Sequence, residues 1–432
     1  MICENLGVNN LGHLTFAGVD TVELCEKYGT PLYVMDENRI RHNMRVYTGA
    51  MAKYFGENAG CLYASKACSF KRLYEIAREE GFGTDVVSSG EVYTALKAGF
   101  DLKKAFFHSN NKTDEDIAFA IDSGIGYFVC DNIEEVNAIS EIATAKGVTQ
   151  NILLRLTPGI DPHTYEAVNT GKVDSKFGSA IETNQAYEIT KMTLSLPGIK
   201  LCGFHCHVGS QIFDSEIYMR SAEIMLSFIA RVRNELGFTA EILDLGGGYG
   251  VRYIEANPYI DIDKNIKELA AFMKNTVSQL GIPMPTVYLE PGRSIVADAG
   301  ITLYTAGTVK KIPGYKNYVS IDGGMADNPR YALYGSYYTV VDASRMNAEC
   351  DMLCTLAGRC CESGDLIQEN IRLPGDIKRG EKIAVLTTGA YNYSMSSNYN
   401  RLGKPPVVMI KDKEDYVAVK RETLEDIIRN DV

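Results

Sequence analysis

The sequence predicts an α/β chain: a (β/α)8, TIM-like barrel followed by a β-rich domain. Three features carry that expectation. Strand-like apolar runs recur eight times from Cys61 to Leu289 with helical patterns between them, polar residues cluster just after the runs, and beyond Gly300 helical pattern is scarce.

The eight runs are Cys61–Ala64, Asp85–Val87, Ala105–Phe107, Tyr127–Val129, Ile152–Leu156, Leu201–Phe204, Ile242–Leu245 and Thr286–Leu289. Between them, Leu73, Ile76 and Ala77, then Val92, Ala95 and Leu96, recur at helical spacing and stop at Gly81 and Gly99. Thr113, followed by acidic residues, is an N-cap for the next helix. The usual fingerprint of a doubly wound nucleotide-binding sheet is missing after the first run, which favours the barrel. Before it, Leu14–Phe16 and Pro31–Met35 look extended around a short helix at 20–28, and 36–54 looks helical. After it, strands are expected at Ile301–Tyr304, Tyr318–Ile321, Tyr338–Val341, Asp351–Leu356 and Lys382–Leu386, with a helix at Glu422–Ile428. The expected division is 1–35 (strands completing the β domain), 36–299 (barrel) and 300–432 (β-rich domain).

Composition narrows the function. A chain of 432 residues, 45% hydrophobic, can bury a large core, and its formal charge of −11 disfavours nucleic acid or an anionic membrane as partner. No signal-like leader or bilayer-length apolar run stands out, so a cytoplasmic protein is expected. Eleven scattered cysteines without C-x-x-C spacing read as reduced thiols.

A barrel places its chemistry at the carboxyl ends of its strands. Lys66 follows the first run among small neighbours, where desolvation would favour a neutral, nucleophilic amine suited to Schiff-base chemistry. Asp85 opens the second run, with Ser88, Gly90 and Glu91 beyond it; His108 and Asn110 follow the third; Arg155 lies on the fifth. His205 and His207 share a strand face, a pairing that suits an aromatic cofactor better than a metal, since no acidic residue stands at ligand spacing. Gly246, Gly247 and Gly248 after the seventh run can turn backbone N–H groups toward a phosphate. Glu290 and Arg293 after the eighth are either a structural ion pair or an acid for a protonated ring nitrogen beside a cation for an anion. Together they describe a pyridoxal 5′-phosphate site.

Tyr63–Ala67, Asp174–Gly178, His205–Gln211, Asp244–Gly248 and Glu290–Ser294 resemble the motifs of the fold-type III pyridoxal-phosphate decarboxylases, the alanine-racemase-like barrel family. That resemblance implies Lys66 as the cofactor lysine, His207 on the ring, Glu290 at the pyridine nitrogen, Asp85 near the cofactor, and Ser210, Gly247, Gly248 and Arg293 by the phosphate. The stretches Asn328–Arg330, Leu333–Gly335, Cys361–Asp365, Gly389–Tyr391 and Ser396–Asn400 are similar to the diaminopimelate-decarboxylating branch in particular. The likeness implies Arg293, Arg330 and Tyr334 at a distal carboxylate, Glu362 at a distal ammonium, Tyr391 over cofactor and substrate, and Cys361 as proton donor reaching across a homodimer interface. Arg359 and Cys360 depart from the pattern, and a register shift of one would nominate Cys360 instead.

The expected reaction is decarboxylation of meso-2,6-diaminopimelate to L-lysine and CO2. A decarboxylase of ornithine or arginine is the nearest alternative, disfavoured by Arg330 beside Glu362, because those substrates carry no distal carboxylate. A racemase would need a second base opposite Lys66, and a silent cofactor-binding regulator would have no use for both Lys66 and Cys361.

Overall fold

The computed structural model describes residues 2–57, 59–160 and 175–432, so Asp174 of the motif at 174–178 lies outside the described residues. The chain divides into two compact units, one comprising Met44–Gly250 and Tyr259–Gly292, the other Met1–Asn43, Val251–Pro258 and Arg293–Val432.

The first unit is the barrel. Its strands are β1 (Ala59–Ala64), β2 (Gly83–Val86), β3 (Ala105–Phe107), β4 (Tyr127–Cys130), β5 (Gln150–Thr157), β6 (Ile199–His205), β7 (Ile242–Asp244) and β8 (Thr286–Leu289). They pair in parallel in that order, and β8 pairs with β1 to close the ring. All eight expected strands are present. Helices cover the outer face of such strands and side chains fill the interior, which is why they read as apolar runs. Leu62, Phe106, Val129, Leu153, Cys202 and Ile242, one from each of six strands, form a single buried cluster. At Gly203, where the register between β6 and β5 shifts, a Cβ would stand 1.9 Å from the Ile242 carbonyl oxygen, so only glycine lets β6 and β7 meet.

The connecting helices are capped as their sequences suggest. Ser88 Oγ accepts from the Glu91 N–H to start Ser89–Lys97, and Thr113 with Asp116 forms a capping box for Asp114–Asp122. Two local expectations change. The second strand starts at Gly83 rather than Asp85, and β6 stops at His205, so His207 lies beyond the strand instead of sharing its face with His205. A two-residue strand at Ser179–Ala180, unread in the sequence, pairs with the end of β5.

The other unit is built on a nine-stranded sheet. Gly300–Ile312 is its spine, pairing with Leu32–Asp36, Lys316–Ile321 and Lys382–Val385. Leu32–Asp36 also pairs in parallel with Val407–Lys411. All five strands expected beyond Gly300 form, and Leu366–Leu373, Val407–Lys411 and Glu414–Val419 join them. Tyr304, Val319, Ile321, Leu356, Ile367 and Ile383 pack on one side of this sheet in a common cluster. Leu6–Val8, Leu14–Phe16 and Val19–Asp20 make a separate three-stranded antiparallel sheet, and Thr21–Tyr28 is a helix capped by Asp20 and ended by Gly29.

Candidate active site

In the barrel unit, β1 runs directly into a single 3-10 turn, Ser65–Ala67, which presents Lys66 at the carboxyl end of the strand. Its Nζ stands 3.8 Å from Asp85 Oδ2, and the lysine side chain is 41% exposed. The side chain is thus partly withdrawn from water, with the Asp85 carboxylate beside its amine. Asp85 is itself buried, with neither carboxylate oxygen in a hydrogen bond. Burial raises its pKa, opposed by the charges of His108 and Lys66.

Glu290, just past β8, is the centre of the buried charge. His108 Nε2 lies 2.8 Å from Glu290 Oε1, and His205 Nε2 lies 3.3 Å from Oε2. Burial alone would raise the Glu290 pKa, but the interactions with His108 and His205 outweigh it and hold the carboxyl well below its ordinary value. Burial pushes the His205 pKa down to about 3, so it faces Glu290 as a neutral imidazole. Asp244, at the end of β7, is buried beside them. Its Oδ1 accepts from the Gly246 N–H at 2.9 Å, and burial together with the charge of Glu290 raises its pKa well above the carboxylate range. One ionised carboxylate with a protonated neighbour is the arrangement two like charges in a dry site require. The potential ligand atoms of His108, His205 and Glu290 all lie within 4.8 Å of one another. The acid absent at short sequence spacing is thus brought in by the fold, and the histidine it joins to His205 is His108, not His207.

The glycines after β7 come as close to their neighbours as a phosphate cradle demands. A Cβ on Gly247 would stand 2.1 Å from the Glu290 carbonyl oxygen, and one on Gly248, at φ +114°, 2.4 Å from that of Gly209. The Gly247 N–H donates to His207 Nδ1 at 3.3 Å. Burial, then the charges of Lys66 and Arg155, lowers the His207 pKa well below its ordinary value, so the ring is neutral. Ser210 lies half-buried two residues past Val208 in the same segment.

In the other unit, Arg293, Arg330 and Tyr391 come together around Tyr253. Arg293 Nη1 donates to Tyr253 Oη at 2.6 Å, and its guanidinium lies 4.8 Å from the Tyr391 ring centroid. The Arg330 guanidinium lies 4.5 Å from the Tyr253 ring and donates to Tyr338 Oη at 3.1 Å and Ser336 Oγ at 3.3 Å. Arg330 is 4% exposed, yet no carboxylate among the described residues lies within ion-pair distance of it. Tyr334, half-buried, ends the short helix that Arg330 begins.

Cys361 and Glu362 are both exposed on one turn. The turn is fixed by Asp365, whose carboxylate accepts from the N–H groups of Cys360 at 2.6 Å and Met325 at 2.5 Å, and by Asn400, whose Oδ1 accepts from the Cys361 N–H at 2.7 Å. Cys360 points into the fold, and burial and Asp365 push its thiol up to about 11.

The family model for the pyridoxal-dependent decarboxylase, pyridoxal binding domain, matches residues 38–297. The diaminopimelate decarboxylase of Bacillus subtilis (strain 168) is 42% identical over 98% of this chain and 96% of its own length. That of Staphylococcus aureus (strain COL) is 43% identical over 98% of both. Among solved structures, the M. jannaschii diaminopimelate decarboxylase in complex with L-lysine is similar with a TM-score of 0.91 and 33% identity, covering 100% of this chain and 98% of that one. The chain belongs to the diaminopimelate decarboxylase family.

A diaminopimelate decarboxylase of this fold uses pyridoxal phosphate, and the barrel residues fit it. Asp85 is a buried acid with unused oxygens 3.8 Å from the lysine, Glu290 is an ionised acid for a ring nitrogen, and the Gly247–Gly248 cradle has no room for a side chain. Sequence reasoning missed the parts that hold these groups. His108 was legible as a residue following a barrel strand, but its pairing with Glu290 was not; His205, Asp244, Tyr253 and Tyr338 carry no local signal of their partners.

Proposed function

We propose that the chain removes CO2 from the D-configured carbon of meso-2,6-diaminopimelate and releases L-lysine. When bound, pyridoxal phosphate supplies an electron sink for the carbanion left as CO2 departs. The protein's residues do the rest. Lys66 would hold the cofactor aldehyde, the neutral imidazole of His207 would face the ring, and Glu290, held ionised by its histidine neighbours, would stabilise a proton on the ring nitrogen. Ser210, Gly247 and Gly248 would take the phosphate, with Arg293 near it, and Asp85 and Tyr391 would help to hold the cofactor.

Substrate choice is assigned to the other unit. Arg293, Arg330 and Tyr334 meet the distal carboxylate and Glu362 the distal ammonium. Cys361, the exposed thiol, is the general acid that protonates the α-carbon; Cys360, with its thiol pushed up to about 11 and its side chain inward, is the poorer donor. An exposed acid and an exposed Glu362 on one turn suit a homodimer in which this turn serves the partner's active site. Among the described residues no helix is long and apolar enough to cross a membrane, and a cytoplasmic location fits a small polar substrate.

The observation that carries the reading is Arg330, a buried guanidinium without a carboxylate partner among the described residues. A buried cation is costly unless an anion meets it, and a substrate with a second carboxylate supplies one. Ornithine has none. Incubation with separate diaminopimelate stereoisomers, ornithine and arginine, with CO2 trapped, tests this: release from the meso isomer alone is expected, and release from ornithine or arginine at a comparable rate contradicts it.

A further inference from the structure

Two arginines that are to grip one carboxylate must be fixed without being neutralised. An acidic neighbour would hold a guanidinium but consume its charge, whereas a phenol oxygen and an aromatic face orient it and leave the charge for a ligand. Around Arg330 the second unit is built in the latter way, and the phenol and ring of Tyr253 reach Arg293 as well. Tyr253 Oη accepts from Arg293 Nη1 at 2.6 Å, while its ring lies 4.5 Å from the Arg330 guanidinium. Tyr338 Oη accepts from Arg330 Nη1 at 3.1 Å, and the Tyr338 ring centroid lies 5.4 Å from the same guanidinium. The two rings meet edge to face, with centroids 5.5 Å apart and an interplanar angle of 82°.

Both tyrosines are anchored in turn. The Tyr253 carbonyl accepts from Thr339 Oγ1 at 2.9 Å. The Tyr338 N–H donates to Gln368 Oε1 at 2.5 Å, and Asn392 Nδ2 donates to its hydroxyl at 3.2 Å. Tyr253 is 4% exposed and Tyr338 2%, so neither side chain has freedom to swing. A long, rotamer-rich arginine loses less entropy on binding when its direction is already set.

We propose that Tyr253 and Tyr338 are positioning residues that aim Arg293 and Arg330 at a single carboxylate, and so set the enzyme's selection for ligands bearing a carboxylate at the end remote from the reaction. This rests on the function proposed above and adds two residues to it. The tyrosines act through the arginines and take no part in the bond-breaking step.

The test uses the cofactor-loaded enzyme and the variants Tyr253→Phe and Tyr338→Phe, which keep the rings and remove the hydroxyls. L-Lysine and cadaverine serve as competing ligands, since they share the amine-bearing chain and differ in the carboxylate. Loss of a hydrogen bond to a charged group predicts KM for meso-diaminopimelate and Ki for L-lysine each raised about tenfold, with kcat falling less and Ki for cadaverine within about twofold of wild type. Equal weakening of L-lysine and cadaverine would assign the tyrosines a merely structural role, and unchanged values for both ligands would overturn the proposal. Failure of both variants to fold would likewise count against it. A wild-type enzyme that released no CO2 from meso-diaminopimelate would instead fail the reaction itself, while the comparison of L-lysine with cadaverine, read by direct binding, would still judge the tyrosines.

Discussion

Replacing Arg330 by Met probes substrate recognition with little expected cost to the fold. The guanidinium is buried and its neighbours are Tyr253, Tyr338 and Ser336, so the folded chain loses two ring contacts and two hydrogen bonds to neutral groups but no ion pair. Removing a buried cation that lacks a counter-ion offsets much of that loss, so the melting temperature of the holoenzyme should move by only a few degrees. Catalysis responds differently. A bidentate carboxylate grip is two charge-assisted hydrogen bonds, together about 3–5 kcal/mol, which predicts a fall in kcat/KM for meso-diaminopimelate of roughly 150- to 5,000-fold. Arg330→Lys, a point charge without the planar fork, should fall between the variant and wild type. Steady-state measurement of CO2 release, beside Ki values for L-lysine and cadaverine, decides the matter. A loss of less than tenfold, or cadaverine weakened as much as L-lysine, would refute the assignment of Arg330 to a substrate carboxylate.

Three further outcomes are expected. Because burial lowers the His205 pKa to about 3, while an unfolded histidine titrates near about 6.5, the unfolded chain binds a proton that the folded chain refuses as pH falls through that window. Stability is therefore lost on acidification at up to about 1.4 kcal/mol per pH unit from this group, and His205→Asn should show a smaller drop in urea midpoint between pH 7.5 and 5.5 than wild type; an identical drop contradicts the assignment. Gly247→Ala puts a Cβ 2.1 Å from the Glu290 carbonyl, so the strand end must shift, and equilibrium dialysis should find pyridoxal phosphate bound at least tenfold more weakly. Mixing inactive Lys66→Ala with inactive Cys361→Ala subunits should restore part of the activity if Cys361 serves the partner's site, and none on verified heterodimers would place the acid elsewhere.

The barrel was legible because its strands are buried on both faces and so read as unbroken apolar runs, with glycines and capping residues punctuating the helices between them. The β-rich unit was less so, for reasons visible in its turns. The hairpin joining Val407–Lys411 to Glu414–Val419 turns through Asp412 and Lys413, both at positive φ (53° and 69°), without the glycine that ordinarily marks such a turn. Leu366–Leu373 interrupts its apolar residues with Gln368, Glu369 and Asn370, the last also at positive φ, so no clean alternation announces a strand.

The candidate site divides along the same line. Lys66, Gly247, Gly248 and Glu290 were legible because a barrel's geometry fixes where its chemistry must stand. What holds them was not, because His108 and Glu290 are far apart in the chain, and so are Tyr253 and Arg330.

The central claim is that one lysine at the end of the first barrel strand bonds covalently to a vitamin B6 aldehyde. Loading the purified chain with pyridoxal phosphate, reducing it with borohydride and mapping its peptides tests this directly. A single phosphopyridoxyl adduct on Lys66 is predicted; an adduct on another lysine, or none on fully loaded protein, would contradict it.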